Sequence, residues 1–192
     1  MKVGINESEQ YAIVAAAHAE VPARVLKQDD TFMVFDRLGD INALGRGEQG
    51  LYRDDTRFLS FLELRIGPER PLLLSSEVAR NNEQCTVDMT NTDVLIESHV
   101  ALSKSSLHVR RSRFLWNGAC YERFVITNYG LVPSDTTFGL RFAADFADIF
   151  EVRGAVRPRL TSSPMTRWCT NTLASIRSAG VCVSIVSRCR PR

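Results

Sequence analysis

From Thr31 to about Glu151 the chain is a succession of short apolar or alternating runs, each closed by turn-forming residues. Thr31–Phe35 is β-branched and aromatic, and Arg37-Leu38-Gly39-Asp40 turns it. Phe58–Ile66 runs into Gly67-Pro68 and resumes at Pro71–Leu74, which predicts a hairpin. Cys85–Met89 alternates and stops at Thr90-Asn91-Thr92-Asp93. Leu107–Trp116 and Tyr121–Thr127 flank Asn117-Gly118, a pair that tolerates the positive φ of a two-residue hairpin turn. After a break at Asn128-Tyr129-Gly130 and Pro133, Thr136–Ala144 follows.

Within these runs the period is two. Phe124 and Ile126 share one face, opposite Tyr121, Arg123 and Val125; Phe138, Leu140 and Phe142 share another, opposite Thr137, Gly139 and Arg141. Such alternation belongs to half-buried strands of antiparallel sheets with one wet face. Several short strands at even spacing predict an all-β protein, an antiparallel β-sandwich, rather than βαβ units. Only the alanine-rich Tyr11–Glu20 reads as a helix. The last forty residues show no sustained period and are expected to be an irregular tail, in which only Val181–Val186 could make a strand.

Charge divides the chain at the same place. All 22 Asp and Glu lie at or before Glu151, against 16 Lys and Arg, a balance of −6; residues 152–192 hold 8 Arg and no acid, and the sum is +2. A chain that stops using acids at one point has a boundary there. The five cysteines form no C-x-x-C pair, so neither a disulfide framework nor a zinc site is indicated. No apolar run approaches the roughly 20 residues that span a bilayer. Ala12–Ala17, preceded by Glu7 and Glu9, is too short for a signal-peptide core, so a cytoplasmic protein without a membrane partner is expected.

Two segments are too dense in charge to be strand filler: GLYRDDTRFLS at 50–60 and DFADIFEVRG at 145–154. Both resemble signature segments of the N-terminal domain of bacterial and archaeal glycogen debranching enzymes of the amylo-α-1,6-glucosidase type. Between them LKQDDTFMVFDRLGDI at 26–41, RPLLLSS at 70–76, TVDMTNTD at 86–93 and YERFVITNYG at 121–130 fit in order. The resemblance covers about 25–154. It implies a supersandwich-like β-sandwich domain over 25–154, an N-terminal extension over 1–24, and carbohydrate metabolism as the setting. It also implies an (α/α)₆ barrel, absent here, that carries the catalytic carboxylates. Residues 155–192 depart from the family pattern as an atypical basic tail, and the expectation is that they are read out of frame or belong to a degraded gene, the competing reading being a basic arm for an anionic partner.

Hydrolysis of a glycoside requires two carboxyl groups about 5–5.5 Å apart for retention or about 6.5–9.5 Å for inversion. Asp145, Asp148 and Glu151 recur every three residues; a helix would put them on one face, a strand would put Asp145 and Glu151 on one side. They are either a carboxylate pair at a sugar site, or acids that bond local backbone N–H groups and pair with Arg57 and Arg153. No residue is assigned a catalytic role. Contact with a branched α-glucan or with the barrel is expected at Arg53, Asp54, Asp55, Thr56, Arg57, Asp145, Asp148, Glu151 and Arg153, with Phe146 and Phe150 adding apolar ring faces. The Arg53–Arg57 cluster reads first as an ion-pair network holding two strands and a loop together, because charge runs are usually solvated or self-paired.

Other chemistry is thinly supported. His18, His99 and His108 lack metal-ligand spacing, and neither a phosphate loop nor a nucleophile elbow is present, so no metal or cofactor is expected. Cys85 and Cys120 read as small core residues. Arg110-Arg111-Ser112-Arg113 and the basic tail raise nucleic-acid binding as an alternative, but no aromatics interleave the patch, and Arg111 and Arg113 read as one solvated strand face. A small free-standing glycosidase using the acids near 145–151 is the other alternative.

Overall fold

The computed structural model describes residues 23–42, 47–96, 99–131, 133–134, 136–155, 169–173 and 181–188. β1 (Arg24–Gln28), β2 (Thr31–Phe35), β3 (Gly50–Arg53) and β4 (Thr56–Leu59) form a four-stranded antiparallel meander. Next come β5 (Phe61–Ile66), β6 (Leu72–Val78), β7 (Gln84–Thr90) and a small hairpin, β8 (Val94–Ile96) with β9 (His99–Leu102). β10 (Leu107–Trp116), β11 (Ala119–Asn128), β12 (Phe138–Ala143), one helical turn α1 (Ile149–Val152), β13 (Cys169–Leu173) and β14 (Val181–Arg188) complete the described elements. The helix expected over Tyr11–Glu20 lies outside the described residues.

β14, β11, β10, β7 and β6 make a five-stranded sheet in that order, and β13, β12 and β5 a three-stranded one. Ser60 alone separates β4 from β5. The bonds from Ser60 N to Ala143 O at 2.9 Å and from Arg57 N to Ala147 O at 2.8 Å carry the β5–β12 pairing onward along β4. The meander and the three-stranded sheet thus join into one layer, and the five-stranded sheet faces it. The fold is the expected all-β antiparallel sandwich.

Alternation places the core. β10 buries its odd residues and exposes its even ones, and β2 and β5 alternate likewise. Leu26, Met33, Phe35 and Leu51 of one layer meet Val87, Met89, Val109 and Phe124 of the other in one cluster with Leu64, Ile66 and Phe138. Fully burying such a side chain is worth about 1.5–3 kcal/mol. Phe124 meets Phe138 edge-on at 5.1 Å, and Cys120 Sγ lies 3.9 Å from Met33 Sδ. Cys85 and Cys120 are buried core residues, and burial pushes the Cys85 thiol up from its ordinary value.

Asn117 (φ 49°) and Gly118 (φ 67°) close the β10–β11 hairpin with Trp116 opposite Ala119, as the Asn-Gly pair predicts. The hairpin expected over Phe58–Leu74 is not formed. β5 pairs with β12 and β6 with β7, so Gly67-Pro68 carries the chain from one layer to the other, and only a single bridge, Ile66 to Glu69, spans the turn. A turn signal marks where a strand ends; it does not choose the partner of the next one. In the C-terminal segment β14 contains the run expected to form a strand and lies along β11, with Phe124 opposite Val183. β13, which alternation did not reveal, lies along β12.

Candidate functional site

The two charge-dense segments come together at one rim. In the first, β3 and β4 are joined by Asp54 (φ 47°) and Asp55 (φ 61°), with Arg53 opposite Thr56. This is a two-residue turn of the type that Asn117-Gly118 makes, built here from two aspartates, which enter the left-handed region more readily than other side chains. Gly50 leaves room for the folded-back Arg57: a Cβ there would stand 2.6 Å from Arg57 Cδ.

The second segment runs beside that turn. Thr56 bridges Asp148, Arg57 N donates to Ala147 O at 2.8 Å, and Ile149 N donates to Asp55 O at 2.8 Å. Arg57 forks onto Asp145: its Nε donates to both carboxylate oxygens at 3.1 Å, its Nη2 bonds Oδ2, and its Nη1 donates to Gly47 O at 2.6 Å. Bidentate arginine–carboxylate pairs fix geometry as well as energy. Burial works against the Arg57 charge, and Asp145 more than restores it, so its pKa is raised.

Asp148 caps α1, accepting from Phe150 N at 2.8 Å, while the Glu151 carboxylate accepts from Asp148 N at 3.1 Å. This is the reciprocal capping box, and it satisfies two donors that a helix start leaves unpaired. The spacing of three arises from that box and not from a shared acidic face. Asp145, Asp148 and Glu151 are therefore committed to Arg57 and to local N–H groups, the second of the two arrangements open from sequence, with Arg57 as the cation.

Phe146 stands at φ 52°, a conformation that costs a bulky residue on the order of 1–3 kcal/mol. It is held between Asp145, which Arg57 grips, and Ala147, whose carbonyl bonds Arg57 N. Its ring meets Phe58 edge-on at 5.8 Å and stays 47% exposed, and Phe150 is 53% exposed. Other members of the predicted set lie apart from the fork. Arg53 pairs with Asp54 at 3.4 Å and covers Gly118, where any Cβ would collide with its guanidinium. Arg153 is exposed at the end of α1.

A second charged constellation, of which the sequence singled out only Arg111 and Arg113, lies between the layers. Arg111 and Arg113 of β10 are 1% and 2% exposed, so their expected role as a solvated face is wrong. They occupy the core-facing parity of Val109 and Leu115. Arg111 donates to Asp40 Oδ1 at 2.7 Å, to Leu38 O at 3.1 Å and to Glu122 Oε1 at 3.2 Å; Arg113 bonds Glu122 and donates to Gly39 O at 2.7 Å. Arg70 ties Asp36 at 3.0 Å to Asp40 at 2.8 Å, and the Asp36 carboxylate accepts from Leu38 N and Asp40 N. Arg111 lies over the Phe124 ring and Arg113 over Phe35. Burial alone would raise the Glu122 pKa, but Arg111 and Arg113 together hold it below the ordinary value. For Asp40 burial wins over Arg111, and Asp36 adds to the rise. Arg111, Arg113, Asp40 and Glu122 lie buried between the layers, and Arg70, one-third exposed, closes the set on Asp36 and Asp40 from its edge. With Arg111 and Arg113 inside, the basic run offers no continuous patch to nucleic acid.

Among the described residues no group of three or more metal-ligating side chains assembles, and no helix is long and apolar enough to cross a membrane. His108 approaches Asp88 at 2.9 Å, Trp116 is exposed beside its turn, and His18 lies outside the described residues.

The rim therefore sits at the edge of an antiparallel sandwich, its acids engaged by Arg57 and by backbone N–H groups. The chain belongs to the family described as the N-terminal domain of (some) glycogen debranching enzymes, whose model matches residues 26–185. That match takes in every segment on which the resemblance rests and continues past Gly154 through β13 into β14. A search of the curated proteins gives no match.

Proposed function

We propose that this chain is a non-catalytic module of an amylo-α-1,6-glucosidase-type glycogen debranching enzyme, and that it braces the catalytic (α/α)₆ barrel of such an enzyme through the rim of the Asp54–Asp55 turn and residues 145–153. One observation carries this reading: the three acids that could have formed a hydrolytic pair are used to build the rim. Hydrolysis needs one carboxyl free to give a proton and another free to attack or to activate water. Neither role is open to an acid gripped by Arg57 or closed in a capping box.

What the rim offers a partner is Phe146 and Phe150, half exposed, on backbone that Arg57 grips through Asp145 and the Ala147 carbonyl. Exposed aromatic rings on a fixed scaffold suit an interface between domains, where buried aromatics dominate the energetics. Strain at Phe146 supports the same role, since strained conformations persist where a surface is preorganised for contact.

Purified chain incubated with branched α-glucan should release no reducing sugar; turnover that disappears in Glu151→Gln would overturn the reading. Mixed with the catalytic domain of a family member, the chain should co-sediment with it. The double variant Phe146→Ser/Phe150→Ser should not, while keeping the wild-type circular dichroism. Equal co-sedimentation of that variant would remove the rim as the contact.

A further inference from the structure

The outer face of the five-stranded sheet carries side chains that neither the core nor the rim employs. Along β10 the parity opposite to the core presents His108, Arg110, Ser112, Phe114 and Trp116. Phe114 and Tyr121 sit directly across from each other on β10 and β11, their rings stacked at 4.9 Å and 6°. The stack fixes both rings in one orientation, so little rotamer freedom remains to be lost when a ligand arrives. One pleat further on, Trp116 is 61% exposed.

Towards the other end of the same face Asp88 of β7 gathers polar groups. It accepts from Arg110 Nε at 2.8 Å and Ser75 Oγ at 3.1 Å, and His108 Nε2 stands 2.9 Å away. The exposed Tyr129 ring lies 6.4 Å from the His108 ring. At about 3.4 Å per residue, the run from His108 to Trp116 extends roughly 27 Å.

We propose that this face binds a linear α-glucan chain. Trp116 and the Phe114–Tyr121 pair take the apolar C–H faces of the sugars; Asp88, His108 and Arg110 take the hydroxyls. The proposal rests on the glucan setting of the preceding reading and deepens it by naming the surface. Its chemistry favours a sugar over an apolar protein partner, which would strip water from the Asp88–Arg110–His108 group without replacing its hydrogen bonds. A phosphate polymer is disfavoured because a carboxylate sits at the centre of the polar group and already holds Arg110.

Calorimetric titration of the full chain with maltoheptaose tests this. Wild type should bind, and Trp116→Ala and Phe114→Ala should each weaken binding about tenfold, the scale of one lost ring contact. Trp116→Leu, which keeps apolar bulk without a ring, should weaken it as much, with far-UV circular dichroism unchanged in all three and the thermal midpoint unchanged in the two Trp116 variants. Phe146→Ser/Phe150→Ser should bind as wild type does. Binding that survives Trp116→Ala but is lost in the rim variant would move the glucan to the rim and sink this assignment while sparing the glucan setting. Absence of binding by folded wild type would also sink it, as would a dimer in sedimentation that Trp116→Ala dissociates.

Discussion

The sandwich contains two sets of ion pairs, and they do opposite things with charge. At the rim, Arg57 and Asp145 are half-buried, one guanidinium meets one carboxylate, and the remaining acids cap a helical turn. Between the layers, Arg111, Arg113 and Arg70 meet Asp36, Asp40 and Glu122 with carbonyls of the Leu38–Gly39 turn filling further positions. Rim charge is dense along the chain and shallow in space. Central charge is scattered over residues 36–122 and, apart from Arg70 at its edge, deep. A pair near water has solvent as a substitute partner, whereas a buried charge has only its neighbours, so the scattered set should be the more sensitive to loss of any member.

The largest effect should come from breaking the central set. Glu122→Gln or Arg111→Met leaves an orphan buried charge and should cost about 3–5 kcal/mol in urea unfolding. Changing Arg111, Arg113, Glu122 and Asp40 together to apolar residues of similar volume should recover much of that loss, because no orphan remains. A quadruple variant as unstable as the singles would show that the charges stabilise the fold in their own right.

Acid should separate two members of that set. The Glu122 pKa is lowered in the fold, so its contribution is complete above the unfolded value, near 4.5, and is lost as pH falls through the folded value. Asp40 is raised, so its protonation as pH falls favours the fold and opposes that loss. In pH-dependent unfolding, Glu122→Gln should therefore flatten the decline of stability below pH 4.5, and Asp40→Asn should remove an opposing gain that falls above the unfolded aspartate value of 3.8. The reverse pattern would mean that the signs are exchanged.

At the rim, Arg57→Ala should cost about 1.5–3 kcal/mol, the range for hydrogen bonds to charged groups, and should release Phe146 from its strained backbone. Glu151→Ala, which opens one half of the capping box, should cost about 1 kcal/mol. Smallest of all, Asp55→Gly should raise the thermal midpoint slightly, by up to about 1 kcal/mol in stability, because glycine enters the left-handed region without a steric cost. A rim variant as damaging as Glu122→Gln would erase the contrast between the two regions.

Much of the fold could be read along the chain. The alternation of Leu107–Trp116 and Tyr121–Thr127 about Asn117-Gly118 gave a hairpin with its register, and the signature segments gave the family. The candidate rim was legible as composition, but its chemistry was not. Asp148 and Glu151 look alike as a sugar-site pair and as a capping box until the backbone around Ile149 is known. Arg111 and Arg113 carried one usable signal, their shared parity with Val109 and Leu115, but charge outweighed it.

By itself the sequence determined which residues share a strand face and where strands end, because both follow from local geometry: a period of two, and the few residues that tolerate a turn. Only the tertiary structure decided which face of β10 is inside and which strand each turn hands over to. Burying Arg111 depends on Asp40, far upstream, arriving opposite it, and burying Arg113 on the carbonyl of Gly39. Compensation of a buried charge is a property of assembled neighbours, and no local pattern encodes it.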